Sequence, residues 1–182
     1  MGLLEIDLIE DLLHSSTISK GIERTMERII NELEIDSMYI IHYEEDIMLP
    51  EIVFEWESRE GKRISRLKEY IDFMEDRYHF DEENLYVARA TTVLPTEEKK
   101  CYQELGYEAV VEYRMTNHGN GVGYMVLGWE CIKELTEEEV KALHILFKLM
   151  NEMLVKQFFK EIVGESCLLY TSPSPRDRTR SR

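Results

Sequence analysis

Along residues 18–33 the apolar side chains Ile18, Ile22, Met26, Ile29, Ile30 and Leu33 return about every 3.6 positions, with Lys20, Glu23, Arg24, Glu27 and Arg28 between them. This period predicts an amphipathic helix, and Ser15, Ser16 and Thr17 offer its N-cap. Leu3, Leu4, Ile6, Leu8, Ile9, Leu12 and Leu13 predict a shorter helix over residues 3–13. The pattern then changes. "SMYIIHYEED" and "EIVFEWES" are rich in β-branched and aromatic residues and flank an acidic loop ending at Pro50, which predicts two strands of a meander. Helical spacing resumes in "RLKEYIDFMEDRYH", where Leu67, Tyr70, Ile71 and Met74 share one side.

A short strand is predicted over Leu85–Ala90, followed by a compact helix in "LPTEEKKCYQELG", opened by Pro95-Thr96 and closed by Gly106. "YEAVVEYRM" and "VGYMVLGWE" around "TNHGNG" predict a hairpin, because Asn and Gly tolerate positive φ. A long helix is predicted from Glu137 to Val163, with Thr136 and Glu139 forming its capping box. The order α-α-β-β-α-β-α-β-β-α predicts an α+β domain. Its sheet is largely antiparallel, its helices pack on one face, and a cavity lies under the middle segment. Residues 1–17 are expected to be an N-terminal helix and linker, 18–160 the domain, and 161–166 the start of a further linker.

Charge divides the chain unevenly. The 182 residues hold 22 basic and 37 acidic groups, a net charge of -15. Residues 167–182 contain four Arg and one Asp, which leaves 18 basic and 36 acidic groups in residues 1–166. A body this acidic repels phosphate backbones and anionic membranes, which argues against nucleic-acid and membrane partners. No stretch reaches the length of a membrane span, and the start lacks the basic region and cleavage site of a signal peptide, so the chain reads as cytoplasmic. The segment "CLLYTSPSPRD" resembles the in-frame translation of a transposase-type sequencing-library adapter. Residues 167–182 are therefore expected to be non-native and disordered, with the natural reading frame continuing beyond Ser166.

Candidate chemistry is sparse. His14, His42, His79, His118 and His144 show no metal-ligand spacing, and Cys101, Cys131 and Cys167 form no CxxC pair. The acidic run Glu75, Asp76, Asp81, Glu82, Glu83 lacks the alternating ligands of a calcium loop. "NHGNGVG" is followed by a strand pattern rather than the helix that a phosphate loop requires. No catalytic constellation, metal set or cofactor is expected. A ligand cavity between sheet and roof would draw on Trp56, Phe73, Tyr86, Arg89, Tyr102, Tyr113 and Arg114. Arg89 stands out as a cation in the apolar strand "LYVARA", suited to an anionic ligand. In the last helix Val140, Leu143, Phe147, Met150 and Leu154 keep a heptad-like seam, expected at a homodimer interface.

Three stretches carry a family resemblance: "SSTISKGIERTMERIINELEIDSMYIIHYEED", "VLPTEEKKCYQELGYEAVVEYRM" and "GNGVGYMVLGWECIKELTEEEVKALHILFKLMNEML". In their order and spacing the chain resembles a GAF domain over about residues 5–160. It is most similar to the version found in bacterial proteins ending in a cyclic-dinucleotide synthase or phosphodiesterase. The resemblance implies a sensory module that binds a small molecule or partner. It also implies dimerisation through terminal helices and signalling to an output domain, here cyclic-di-GMP synthesis or breakdown. It names no ligand. The chromophore-binding branch uses a Cys-His pair, whereas Tyr102 follows Cys101. Two other readings stay open: a degenerate dimerisation spacer without ligand, and a small thiol enzyme with Cys101 as nucleophile.

Overall fold

The structure, a computed structural model, describes residues 9, 12, 17–43, 50–59, 67–77 and 80–171. Thr17 caps helix α1 (Ile18–Leu33), its Oγ1 accepting from the Lys20 amide at 3.3 Å. The helix expected over residues 3–13 lies outside the described residues, apart from Ile9 and Leu12, both helical. Strands β1 (Ser37–His42) and β2 (Glu51–Glu57) pair antiparallel, followed by helix α2 (Leu67–Arg77) and strand β3 (Leu85–Ala88). A 3-10 turn (Thr91–Val93) leads to helix α3 (Thr96–Leu105), which Gly106 ends in the left-handed region at φ 78°. Strands β4 (Ala109–Asn117) and β5 (Asn120–Trp129) form the expected hairpin. His118 (φ 51°) and Gly119 (φ 87°) supply the two positive φ angles of its two-residue turn, so histidine takes a place usually given to Asn or Asp.

The five strands run β2-β1-β5-β4-β3, every neighbouring pair antiparallel. Because side chains alternate along a strand, the sheet has two inner faces. On one, α1 contributes Ile22, Met26, Ile29, Ile30 and Leu33, packed on Met38, Ile40, Val111, Tyr113, Met125 and Leu127. Trp129 ties this layer to α1 by donating its indole N–H to the Leu33 carbonyl at 3.0 Å. The other face is covered by Tyr70, Ile71 and Met74 of α2 and Tyr102 of α3, over Tyr39, Ile41, Val110, Tyr124 and Val126. The terminal helices thus share one face and the middle segment roofs the other.

Helix α4 (Glu137–Thr171) starts at the predicted capping box: Glu139 N–H donates to Thr136 Oγ1 at 3.2 Å, and the Thr136 amide to Glu139 Oε2 at 2.8 Å. Its backbone continues past the expected end at Val163 and through residues 167–171, in all roughly 50 Å of helix at 1.5 Å per residue. The seam expected to meet a second copy is occupied within the chain. Leu143, Phe147, Met150 and Leu154 are buried against the sheet, with Val140 packed half-buried beside them. A helical stripe marks which side is apolar, and here this chain's own sheet covers it.

Candidate functional site

The face under α2 and α3 is unusual for its hydroxyl content. Tyr39, Tyr43, Tyr70, Tyr102, Tyr107 and Tyr124 are all buried there. A buried phenol requires a partner, and two carboxylates provide for four of these tyrosines. Glu112, fully buried in the middle of β4, accepts from Tyr70 at 2.6 Å and Tyr102 at 2.9 Å. Burial first, then the charge of Glu112, pushes both phenols well above their ordinary pKa, so they stay protonated donors.

The second carboxylate is Glu75, near the end of α2. Its Oε1 accepts from Tyr43 at 2.6 Å and from Tyr124, and lies 3.6 Å from Arg114 Nε. All three of these contacts converge on that one oxygen. Burial pulls the Glu75 pKa upward, but the bonds from Tyr124 and Tyr43 and the Arg114 charge outweigh it and hold the carboxyl below its ordinary value. Glu75 is therefore an anion at neutral pH.

Beside this cluster is a cavity of about 170 Å³, lined by Met74, Glu75, Phe80, Asp81, Asn84, Arg114 and Tyr124. Phe80 stacks on Tyr124 with centroids 5.6 Å apart, giving the cavity a flat aromatic wall. Gly121 keeps room for Arg114: a Cβ there would stand 2.8 Å from Nη2 and 2.7 Å from the Tyr43 hydroxyl. The cavity thus presents a guanidinium, two carboxylates and an aromatic surface. Charge, hydrogen bonding and stacking of this kind are suited to orienting a small molecule.

Of the seven residues expected to line a ligand cavity, Arg114 alone lines this one. Phe73, Tyr86 and Tyr102 belong to the same layer: Phe73 meets Tyr102 edge-on at 5.8 Å, and the Tyr86 hydroxyl lies 3.4 Å from Glu98. Tyr113 and Trp56 lie on the opposite face. Tyr113 packs 5.6 Å from Phe147, and Trp56 sits against the α1/α4 core. Adjacent strand residues point to opposite sides, so Tyr113 and Arg114 cannot line one cavity. Trp56 follows a register shift at which Ile40 pairs with Phe54 but Ile41 with Ile52, which puts Phe54 and Trp56 on one face and Ile52 on the other.

Arg89 is engaged elsewhere, its Nε donating to the Leu135 carbonyl at 2.9 Å and its Nη2 to Glu137 at 2.7 Å. It fastens the approach to α4. Sequence reasoning missed Glu112 and Glu75. Glu112 left a signal, a carboxylate inside the apolar run "AVVEYRM", whereas Glu75 is lost in an acidic stretch. Cys101 is half-buried and Cys131 exposed. Among the described residues, no group of three or more His, Cys, Asp or Glu is placed to hold a metal, and no helix is long and apolar enough to cross a membrane.

No protein-family model and no curated protein matches the chain. Solved structures do match. The phycoerythrobilin-bound GAF domain of a cyanobacterial phytochrome superposes with a TM-score of 0.65 at 10% identity, covering 87% of this chain and 96% of that one. The chain has the GAF fold. A far-red-absorbing dark state with bound biliverdin IXa gives a TM-score of 0.64 at 11% identity, covering 83% and 97%. A domain assigned to a two-component sensor histidine kinase of Sinorhizobium meliloti 1021 gives 0.55 at 14% identity, covering 81% and 97%. At these identities the likeness establishes the GAF architecture: a five-stranded antiparallel sheet, with terminal helices behind it and a roofed face in front.

Proposed function

We propose that this GAF-fold domain is a sensory module whose ligand enters the cavity beside Glu75 and Arg114. The observation that carries this reading is the polar cluster itself. A carboxylate and a guanidinium beside a cavity, both partly withdrawn from water, cost stability that an apolar filling would not. Such groups are retained where they recognise something. A ligand for this cavity is small, because about 170 Å³ is well below the roughly 300–1,000 Å³ of pockets holding drug-sized molecules. It presents a donor to Glu75, an anionic or carbonyl acceptor to Arg114, and a flat or apolar part to Phe80. The bilins named for two of the matched structures are too large for the cavity as it stands. The two chromophore-bound structures and the kinase domain support a sensory role in general and leave the ligand open.

In the same reading, ligand state biases α4, and through it an output domain outside this chain. Cyclic-di-GMP synthesis or breakdown is the output that the sequence resemblance favours, and a homodimer through the terminal helices the assembly. With the seam of α4 occupied up to Leu154, a second copy would use other surfaces of these helices. The adapter-like residues 167–182 have no part in the proposed function, and the domain itself is non-enzymatic and cytoplasmic. A thermal-shift screen with the twenty amino acids, short dicarboxylates and purine bases tests the binding. A binder raises Tm by mass action, and Arg114→Met abolishes that rise. A panel that leaves Tm unmoved favours the degenerate, ligand-free spacer.

A further inference from the structure

The cavity and α4 lie on opposite faces of the sheet, yet one short turn touches both. Phe80, Asp81 and Asn84 line the cavity. Glu83, between them, reaches the helix: its carboxylate meets Lys148 and stands 3.2 Å from His144 Nε2, and its carbonyl is also 3.2 Å from that nitrogen. His144 and Lys148 are four positions apart and so stack on one side of α4. Asn151, a further turn along that side, exchanges both amide hydrogen bonds with the Thr116 backbone at 3.0 Å. Glu83 and Asn151 thus mark two polar fixing points along the same side of the helix.

The turn is braced by its own hydrogen bonds. Asp81 Oδ1 accepts from the amides of Glu83 at 3.0 Å and Leu85 at 2.9 Å, and the Asn84 amide donates to the Asp81 carbonyl at 2.9 Å. Asn84 adopts φ 62°, and its carbonyl accepts from the Arg114 amide at 2.8 Å. The turn is therefore also tied to the backbone of the cavity's guanidinium residue. We infer that the Asp81–Asn84 turn is the mechanical link from the cavity to α4, with Glu83 as its contact on the helix. The inference rests on the cavity being the ligand site. A ligand that moves Phe80 or Asp81 carries Glu83 with it and changes its pairing to His144 and Lys148. Exposed ion pairs are weak singly, so this contact biases the helix without locking it, as a reversible switch needs.

The test uses the full 182-residue chain and no ligand. Hydrogen exchange of the amides of residues 140–155 is compared in wild type, Phe80→Ala, Glu83→Ala and the double variant. Phe80→Ala should speed exchange in this part of α4 by about fivefold, and by less than about twofold once Glu83 is already Ala, since contacting groups are non-additive. Equal acceleration in both backgrounds, or none in either, overturns the link. If Phe80→Ala unfolds the domain, the reverse direction decides: Lys148→Met should shift the NMR resonances of Phe80 and Asn84, and unchanged resonances overturn the link. Failure here leaves the binding reading standing. An intact link with no binder in the compound panel would instead count against binding alone.

Discussion

The two faces of the sheet are built from one set of strands but differ in chemistry. Behind the sheet, α1 and α4 close a core in which nearly every contact is aliphatic, thioether or aromatic. In front, α2 and α3 close over phenols that share two carboxylates, with a cavity at one end. Transfer from water accounts for most of the first face, since apolar burial is non-directional and needs only volume. The second face needs each hydroxyl aimed at an oxygen, and such networks fix a shape at the expense of tolerance. The difference separates what holds the fold from what the fold presents.

The comparison is tested most severely by Phe147→Ala. Phe147 is fully buried behind the sheet, so its loss should destabilise by about 3–5 kcal/mol in urea denaturation. A loss below about 1 kcal/mol would mean that α4 is not clamped as described. Glu112→Ala tests the front. It leaves the Tyr70 and Tyr102 hydroxyls without this acceptor and should cost about 2–4 kcal/mol, while Glu112→Gln, which keeps an acceptor oxygen, should cost less. Equal costs for the two substitutions would show that the oxygens of Glu112 do not organise that layer.

These experiments also bear on what the sequence could reveal. The apolar stripe of α4 was legible at Leu143, Phe147, Met150 and Leu154, because helical period shows directly which side avoids water. What covers that stripe depends on partners far along the chain, and the dimer expectation arose from that gap. The choice of both Tyr113 and Arg114 was avoidable, since the two-residue period of β4 divides them. Trp56 was less so, because the register shift opposite Ile40 and Ile41 leaves no local mark. Glu75 was hidden for a topological reason: its tyrosine partners are 32 and 49 positions away, and they meet only once the sheet has formed.

Acid titration sharpens the comparison further. The folded-state pKa of Glu75 lies below the ordinary 4.5, so its contribution is fully present above that pH and is lost as the pH falls through the folded value. Glu75→Gln should flatten this part of the stability curve in acid while leaving the neutral-pH fold intact by circular dichroism. An unchanged acid limb would detach Glu75 from the network. The smallest effect belongs to Arg89→Ala. Its half-exposed pairing with Glu137 should be worth less than about 1 kcal/mol, and the response to any binder should be unaltered. A lost response would return Arg89 to the site.

The front face is claimed as the sensing face, and its most direct test is NMR titration of the isotope-labelled chain with the compounds of the thermal-shift panel. A saturable binder whose shifts centre on Glu75, Phe80, Arg114 and Tyr124 is the predicted result. A saturable binder whose shifts map to the α1/α4 side of the sheet, or a panel without any saturable binder, would contradict it.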